Sequence, residues 1–166
     1  PRLWRRLWEK VRSIDADVAK DTTWRTEPVI KQSAAFAIMA LSDVSSPTGW
    51  KPVLSEMMES DLEHVRGPAA QALGATARVE GDEAPFLDRL YELTDDRKKS
   101  VRNCALTGIW YVAIRSARKQ EARDMLTRIA DGPDPDLAEH ARRYLERIAE
   151  IDAGEYADDD VPEQFI

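Results

Sequence analysis

The cations between residues 97 and 123 are the side chains in this sequence best suited to binding chemistry. This segment holds eight Lys or Arg against one Glu, a local charge of +7 in a chain of net charge −7. Such a strip could neutralise the phosphates of a nucleic acid. Its candidate contacts are Arg97, Lys98, Lys99, Arg115, Arg118, Lys119 and Arg123. Because three of them begin a predicted helix and the others follow from its far end, we expect solvated surface charge on opposite edges, offset by acidic neighbours.

Other residues with chemical potential do not form a recognisable site. His64 and His140 have no second His or Cys at metal-ligand spacing. Cys104 is the single cysteine, so an intramolecular disulfide is excluded. The acids at 158–160 lack the spacing of a calcium loop. With no phosphate loop or nucleophile motif present, the sequence predicts no metal, no cofactor and no enzymatic activity.

The elements that position these residues repeat about every 36 positions. In one register, an apolar residue is followed by a small residue four positions later and an aliphatic one eight positions later; a second register runs between these copies. The first comprises Ile30, Val65, Val101 and Leu137; then Ala34, Ala69, Ala105 and Ala141; then Ile38, Leu73, Ile109 and Leu145. The second comprises Trp50, Phe86 and Ala122; Leu54, Leu90 and Leu126; Met57, Leu93 and Ile129. Two registers at one period predict an all-α fold, an α-solenoid of about four two-helix repeats.

Helix boundaries follow from the apolar period and from the residues that start and stop helices. The predicted helices are 2–20, a second from about 28 to the break at 45–49, then 50–59, 61–79, 83–94, 97–116, 118–131 and 135–151. Asp82 and Asp134 are candidate N-caps. The domain prediction is a single solenoid over 1–151, with 1–20 as the N-terminal helix of the first pair or its cap, and an acidic tail over 152–166.

Three segments of this chain resemble the second helix of the HEAT repeat, in its short bacterial form. They are DLEHVRGPAAQALG at 61–74, SVRNCA at 100–105 and the looser DPDL with Ala141 at 134–141. The family pattern is an acid, then Val-Arg, then Ala, then Ala-Leu-Gly, and the resemblance covers about 27–151. It implies that Arg66 and Arg102 form a ladder with acids of neighbouring repeats, and are structural rather than ligand-binding.

One row of the second helices is the predicted binding surface. Helical geometry places offsets 2, 6 and 9 of each second helix away from the core, and in HEAT-like arrays this row lines the concave face. The candidate partner contacts are Phe36, Met39, Gln71, Asn103, Thr107, Trp110 and Arg143. The alternative is that a neighbouring helix covers Phe36, Met39 and Trp110.

The sequence therefore predicts a non-catalytic protein-interaction or scaffold module that binds a protein or peptide. The alternative is a nucleic-acid-binding protein like the DNA-repair members of the family. Some HEAT-like proteins are alkylpurine DNA glycosylases, whose basic groove carries a catalytic acid. Trp110 is followed by Tyr111, Val112 and Ala113 with no carboxylate one turn on, so that resemblance fails.

The two ends of the sequence carry opposite charge. Residues 1–12 hold five Lys or Arg and one Glu, with Trp4 and Trp8 between them. A cap that covers the first repeat is favoured over contact with an anionic membrane surface. Residues 150–166 hold seven acids and no Lys or Arg, which predicts a solvated tail. No apolar run approaches membrane-spanning length, so we expect a cytoplasmic protein with no transmembrane segment.

Overall fold

Six helices form the described part of the chain. The computed structural model describes residues 47–76 and 84–154, with side chains over 51–76 and 86–154. The helices are α1 (Pro47–Met58), α2 (Glu63–Ala75), α3 (Ala84–Leu93), α4 (Lys99–Arg115), α5 (Lys119–Ala130) and α6 (Pro135–Asp152). No strand occurs within these ranges, so the all-α prediction is confirmed for them. The predicted helices before residue 47, the Asp82 cap and the tail beyond 154 lie outside the described residues.

Each helix predicted after residue 46 is present, within four residues of its predicted ends. The largest difference at a helix start is in α1, which begins at Pro47, inside the segment predicted to be a break. Proline is tolerated there because the first-turn N–H groups have no partner within the helix. Asp134 caps α6 as predicted, with its side chain accepting from the backbone N–H of Asp136 and Leu137.

The repeated apolar positions form the core. Val65 and Val101 are fully buried and Leu137 is 6% exposed. Phe86 and Leu145 are half-buried and pack against this core. The other register positions with described side chains are buried: Leu54, Met57, Ala69, Leu73, Leu90, Leu93, Ala105, Ile109, Ala122, Leu126, Ile129 and Ala141. The burial explains the period, because each of these positions meets the same kind of neighbour in each helical pair.

Helices that follow one another along the chain pack together, and α4 also contacts α2 and α6. α1 packs on α2, α3 on α4, α4 on α5 and α5 on α6, while the most extensive contact joins α2 to α4. Val65–Gly74 on α2 and Ala105–Ala113 on α4 are buried without interruption. On α6, burial is confined to one stripe: Leu137, Ala138, Ala141 and Ile148. Packing on both sides therefore surrounds α2 and α4, whereas α6 presents a polar face to solvent.

Glycines set the closest approach between α2 and α4. A Cβ placed on Gly74 would lie 2.2 Å from the carbonyl oxygen of Gly108, and one on Gly108 would lie 2.7 Å from that of Ala70. The small residues at the fourth position of the register, Ala69, Ala105 and Ala141, are also suited to a close helix crossing. Those alanines are buried, but backbone meets backbone at Gly74 and Gly108, where neither helix carries a Cβ.

An ion-pair ladder links the second helices, as the HEAT resemblance implies. The guanidinium of Arg66 on α2 donates to both carboxylate oxygens of Asp96, at 2.8 and 3.0 Å, and to the carbonyl of Ser60. Arg102 on α4 repeats this arrangement with the side chain of Asp134, at 3.2 Å, and the carbonyl of Asp96. Each arginine thus binds the backbone carbonyl of the residue six positions before it. Each also binds an acid that lies just before another of these helices: α4 for Arg66 and α6 for Arg102.

Candidate functional site

On α2, the residues of the predicted contact row are buried. Gln71 is only 7% exposed, and Gly67 and Gly74 on the same row face α4. A Cβ on Gly67 would meet the Sγ of Cys104 at 3.3 Å. The expectation that these offsets point into open space is therefore corrected for α2, because α4 packs against that side of the helix.

On α4, the row is covered by an aromatic side chain from α6. Trp110 is 3% exposed and its ring stacks on that of Tyr144, with centroids 5.0 Å apart and planes 13° apart. Thr107 is 8% exposed, and its hydroxyl is 2.9 Å from the Tyr144 hydroxyl. The structure thus corresponds to the alternative in which a neighbouring helix covers Trp110. Tyr144 lies at offset 7 of its helix, a core-facing position, and this was the sequence signal for the contact.

We call the side chains at this crossing of α4 and α6 the aromatic cluster: Trp110, Tyr111 and Tyr144, with Thr107. Tyr111 contacts Trp110 at a centroid distance of 5.0 Å. The indole Nε1 of Trp110 is buried and has no hydrogen-bond acceptor among the described residues. Tyr144 remains half-buried, so the cluster reaches the surface at its hydroxyl-bearing ring.

The titratable groups near this cluster are held in their neutral forms. Burial raises the pKa of the Cys104 thiol to about 11, and it also raises the pKa of both Tyr111 and Tyr144. A nucleophilic cysteine requires the opposite shift, toward the thiolate. At neutral pH this crossing therefore offers protonated thiol and phenol groups, suited to packing and hydrogen bonding.

The other two predicted contacts with described side chains are more accessible than Gln71, Thr107 and Trp110. Arg143 has a side chain 67% exposed, paired with Glu139 on the same helix at 3.1 Å. Asn103 is half-buried. Phe36 and Met39 lie outside the described residues. Of the five predicted contacts that the structure describes, Arg143 and Asn103 are thus the two that a partner could reach without rearrangement of the helices.

The basic segment divides into two groups at opposite ends of α4. Arg97, Lys98 and Lys99 lie at its start, and Arg115, Arg118, Lys119 and Arg123 at or beyond its end. A 17-residue helix separates them by about 25 Å at 1.5 Å per residue. The predicted placement on opposite edges is what the structure has.

Acidic neighbours pair with much of this positive charge. Lys98 pairs with Glu63 at 2.7 Å, and Lys99 pairs with Asp136. Arg118 pairs with Glu121, and Arg123 binds Asp152 through two hydrogen bonds of 2.8 and 3.0 Å. These contacts lower the pKa of Asp136 and of Asp152, chiefly through the hydrogen bonds from Lys99 and Arg123.

In the part of the chain that the structure describes, no group of three or more His, Cys, Asp or Glu side chains could hold a metal ion. Within the same ranges, none of the helices has the length and apolar character needed to cross a membrane. In comparison with known proteins, no family model matches this chain, and no curated protein matches it significantly.

Proposed function

We propose that this chain is a HEAT-like α-solenoid of about four two-helix repeats that acts as a non-catalytic protein-interaction module. The solenoid arrangement is supported by the pairing of consecutive helices and by the repeated ladder of Arg66 with Asp96 and Arg102 with Asp134. A stack of repeats presents an extended surface to a protein or peptide partner. A cytoplasmic setting is part of the same proposal.

The observation that carries the proposed binding surface is the aromatic cluster between α4 and α6. Here the two second helices are separated by stacked rings, and Tyr144 and Asn103 are both only half-buried. Half-exposed aromatic side chains are enriched at protein interfaces, where a large apolar ring and a hydroxyl can both be used. Trp110 supports this surface from beneath, while Asn103 and Arg143 would meet the partner directly.

Nucleic-acid binding through the basic segment is the second candidate, and its geometry favours it less. The two groups of cations are about 25 Å apart along α4. Four of the seven candidate residues, Lys98, Lys99, Arg118 and Arg123, already pair with carboxylates. Phosphate contacts would need these pairs to be exchanged, and they would make binding strongly salt-dependent.

The test is affinity capture of partner proteins with matched surface variants. The double variant Asn103→Arg, Arg143→Glu changes the proposed surface. The control Asp88→Arg reverses one charge at an exposed position of α3, as Arg143→Glu does on α6. We expect the wild type and the control to retain the same partner, and the double variant to lose it while keeping its helical circular dichroism.

Salt titration then separates the two candidate functions. Binding anchored by apolar contact changes little with ionic strength, whereas phosphate binding weakens steeply. The proposed surface would be contradicted if the variant Asn103→Arg, Arg143→Glu still bound the partner while a second double variant, Arg115→Gln with Arg118→Gln, did not. Trp110→Ala is unsuitable for this purpose, because removal of a buried Trp costs about 3–5 kcal/mol and would unfold part of the array.

A further inference from the structure

Four cations lie together where α4 ends and α5 begins, and we call them the basic edge: Arg115, Arg118, Lys119 and Arg123. Two described carboxylates pair with them, Glu121 with Arg118 and Asp152 with Arg123. The guanidinium of Arg115 lies 5.6 Å above the ring of Tyr111. Among the described residues, the basic edge therefore has four positive charges against the two carboxylates that pair with it.

The end of α6 is held against this edge. Arg123 donates through Nε to the carbonyl of Ala113 near the end of α4, at 3.1 Å, while its two terminal nitrogens bind Asp152. Lys119 is close enough to Asp152 to contribute to lowering the pKa of that carboxyl. One side chain thus ties the last turn of α6 to both helices that form the basic edge.

The chain turns at Gly154 immediately after this contact. Gly154 has a φ of +75°, and its N–H donates to the carbonyl of Ile151 at 3.0 Å. This is the conformation in which glycine commonly ends a helix. The residues that follow therefore start at the basic edge, and they have the opposite charge: 155–166 contain five carboxylates and no Lys or Arg.

We propose that the acidic segment 155–166 docks on the basic edge of its own chain, with the carboxylates at 158–160 against Arg115, Arg118 and Lys119. Four residues beyond Gly154 span at most about 14 Å, so Asp158 lies within that distance of Gly154, just after the end of α6. Because the segment is tethered beside its site, its effective concentration is on the order of millimolar, so weak ion pairs suffice. A docked segment would deny the basic edge to other polyanions.

Zero-length carboxyl-to-amine cross-linking of the full chain tests the contact directly. We expect mass spectrometry to find 158–160 joined to Lys119, and not to Lys98 or Lys99 at the other end of α4. The yield should fall several-fold in Arg115→Gln, Arg118→Gln, which retains Lys119, and also in about 1 M salt, where the Debye length is about 3 Å. Equal cross-linking to Lys98, Lys99 and Lys119 would overturn the proposal.

Mixing isotopically labelled with unlabelled protein identifies the molecule that supplies the segment. Cross-links within one isotope support docking on the same chain, whereas mixed-isotope cross-links would show a second copy as the occupant and contradict it.

A short fluorescent single-stranded DNA then reports whether the basic edge is covered. The variant Asp158→Asn, Asp159→Asn, Asp160→Asn should bind this probe roughly tenfold more tightly than the wild type at low salt, because an intramolecular competitor has been removed. The gain should disappear when Arg115→Gln, Arg118→Gln is added, and persist when Lys98→Gln, Lys99→Gln is added. Equal affinity of the neutralised variant and the wild type would refute the docking. The proposed partner-binding surface lies elsewhere, so either result leaves it intact.

Discussion

Gly74 lies on α2 where the backbone of α4 crosses it, opposite Gly108. A Cβ at Gly74 would meet the carbonyl oxygen, Cα and carbonyl carbon of Gly108 at 2.2, 2.4 and 2.5 Å. These neighbours are backbone atoms, which cannot move aside without shifting a whole helix. Gly67 lies about two turns earlier on the same face of the helix. Its nearest neighbour is the Cys104 Sγ at 3.3 Å, a side-chain atom that can adjust.

These two glycines provide a matched pair of substitutions. Gly74→Ala should destabilise the fold by about 3 kcal/mol or more, since overpacking forces the backbones of α2 and α4 apart. Gly67→Ala should change the free energy of unfolding by less than about 1 kcal/mol, because Ala has the better helix propensity and the sulfur can yield. Urea denaturation of both variants measures the difference. Equal destabilisation would show that the Gly74 crossing is no tighter than that at Gly67.

Asp96 is the second residue whose contact has a measurable consequence. Its carboxylate is 10% exposed and its pKa is lowered, first by the hydrogen bond from Arg66 and also by the backbone N–H of Lys98. A carboxyl whose pKa is lower in the folded state stabilises the fold above its unfolded pKa, near 3.9. That stabilisation is lost as the pH falls through the folded value.

Asp96→Asn should therefore destabilise the protein by about 3–5 kcal/mol at neutral pH, because Arg66 is left buried without its counter-charge. The difference from the wild type should shrink as the pH is lowered below about 4, because the carboxyl is then protonated first in the unfolded chain and, at lower pH, in the folded one. Glu59→Gln is the control. The Glu59 carboxylate, which pairs with Arg89, is 63% exposed, so we expect this variant to lose less than about 1 kcal/mol of stability. A pH-independent effect of Asp96→Asn would contradict this assignment.

At the scale of helices, α6 has the best-defined start. Asp134 accepts from the N–H of Asp136 at 3.1 Å and from that of Leu137 at 3.2 Å, and Pro135 occupies the first turn. The same carboxylate pairs with Arg102 on α4. One side chain thus both begins the helix and joins it to its neighbour.

Two substitutions at Asp134 separate these roles. Asp134→Asn keeps an oxygen for the backbone N–H groups and removes the charge that Arg102 contacts, so a loss below about 1 kcal/mol is expected for this partly exposed pair. Asp134→Ala also removes the cap and should cost about 1 kcal/mol more. Thermal unfolding monitored by circular dichroism ranks the stabilities of the two variants and the wild type. The two variants would have equal stability if the cap contributed nothing.

The helices themselves were predictable from the apolar period, but the environment of each face was not. The period correctly predicted that Val65, Val101 and Leu137 are core positions. It left coverage of Trp110 by a neighbouring helix as an alternative and gave no indication that Thr107 is buried, because a helical wheel describes one helix. Both residues are covered by Tyr144 from another helix. The resemblance implied that Arg66 and Arg102 pair with acids of a neighbouring repeat, and the structure has these arginines paired with Asp96 and Asp134.

At the scale of the whole molecule, repetition is the information that the sequence carries best. In the described helices, the equivalent positions Val65, Val101 and Leu137 are all buried, which is what a stack of helical pairs requires. The distance between the two backbones at each helix crossing does not follow from this repetition. α2 and α4 meet at glycines, whereas α4 and α6 meet through Trp110 and Tyr144, although both steps have the same 36-residue spacing.

This inequality of the two crossings has a kinetic consequence. Backbone amides exchange with deuterium when local unfolding exposes them, and segments with less packed surface open at lower free energy. α4 has much less backbone contact with α6 than with α2, and α6 is buried along one stripe only. Amides of α5 and α6 should therefore exchange together and ahead of those in α2 and α4, with mass spectrometry resolving two classes of protection. Tyr144→Ala should accelerate the faster class and leave the slower one unchanged, so that the C-terminal pair behaves as a separate cooperative unit.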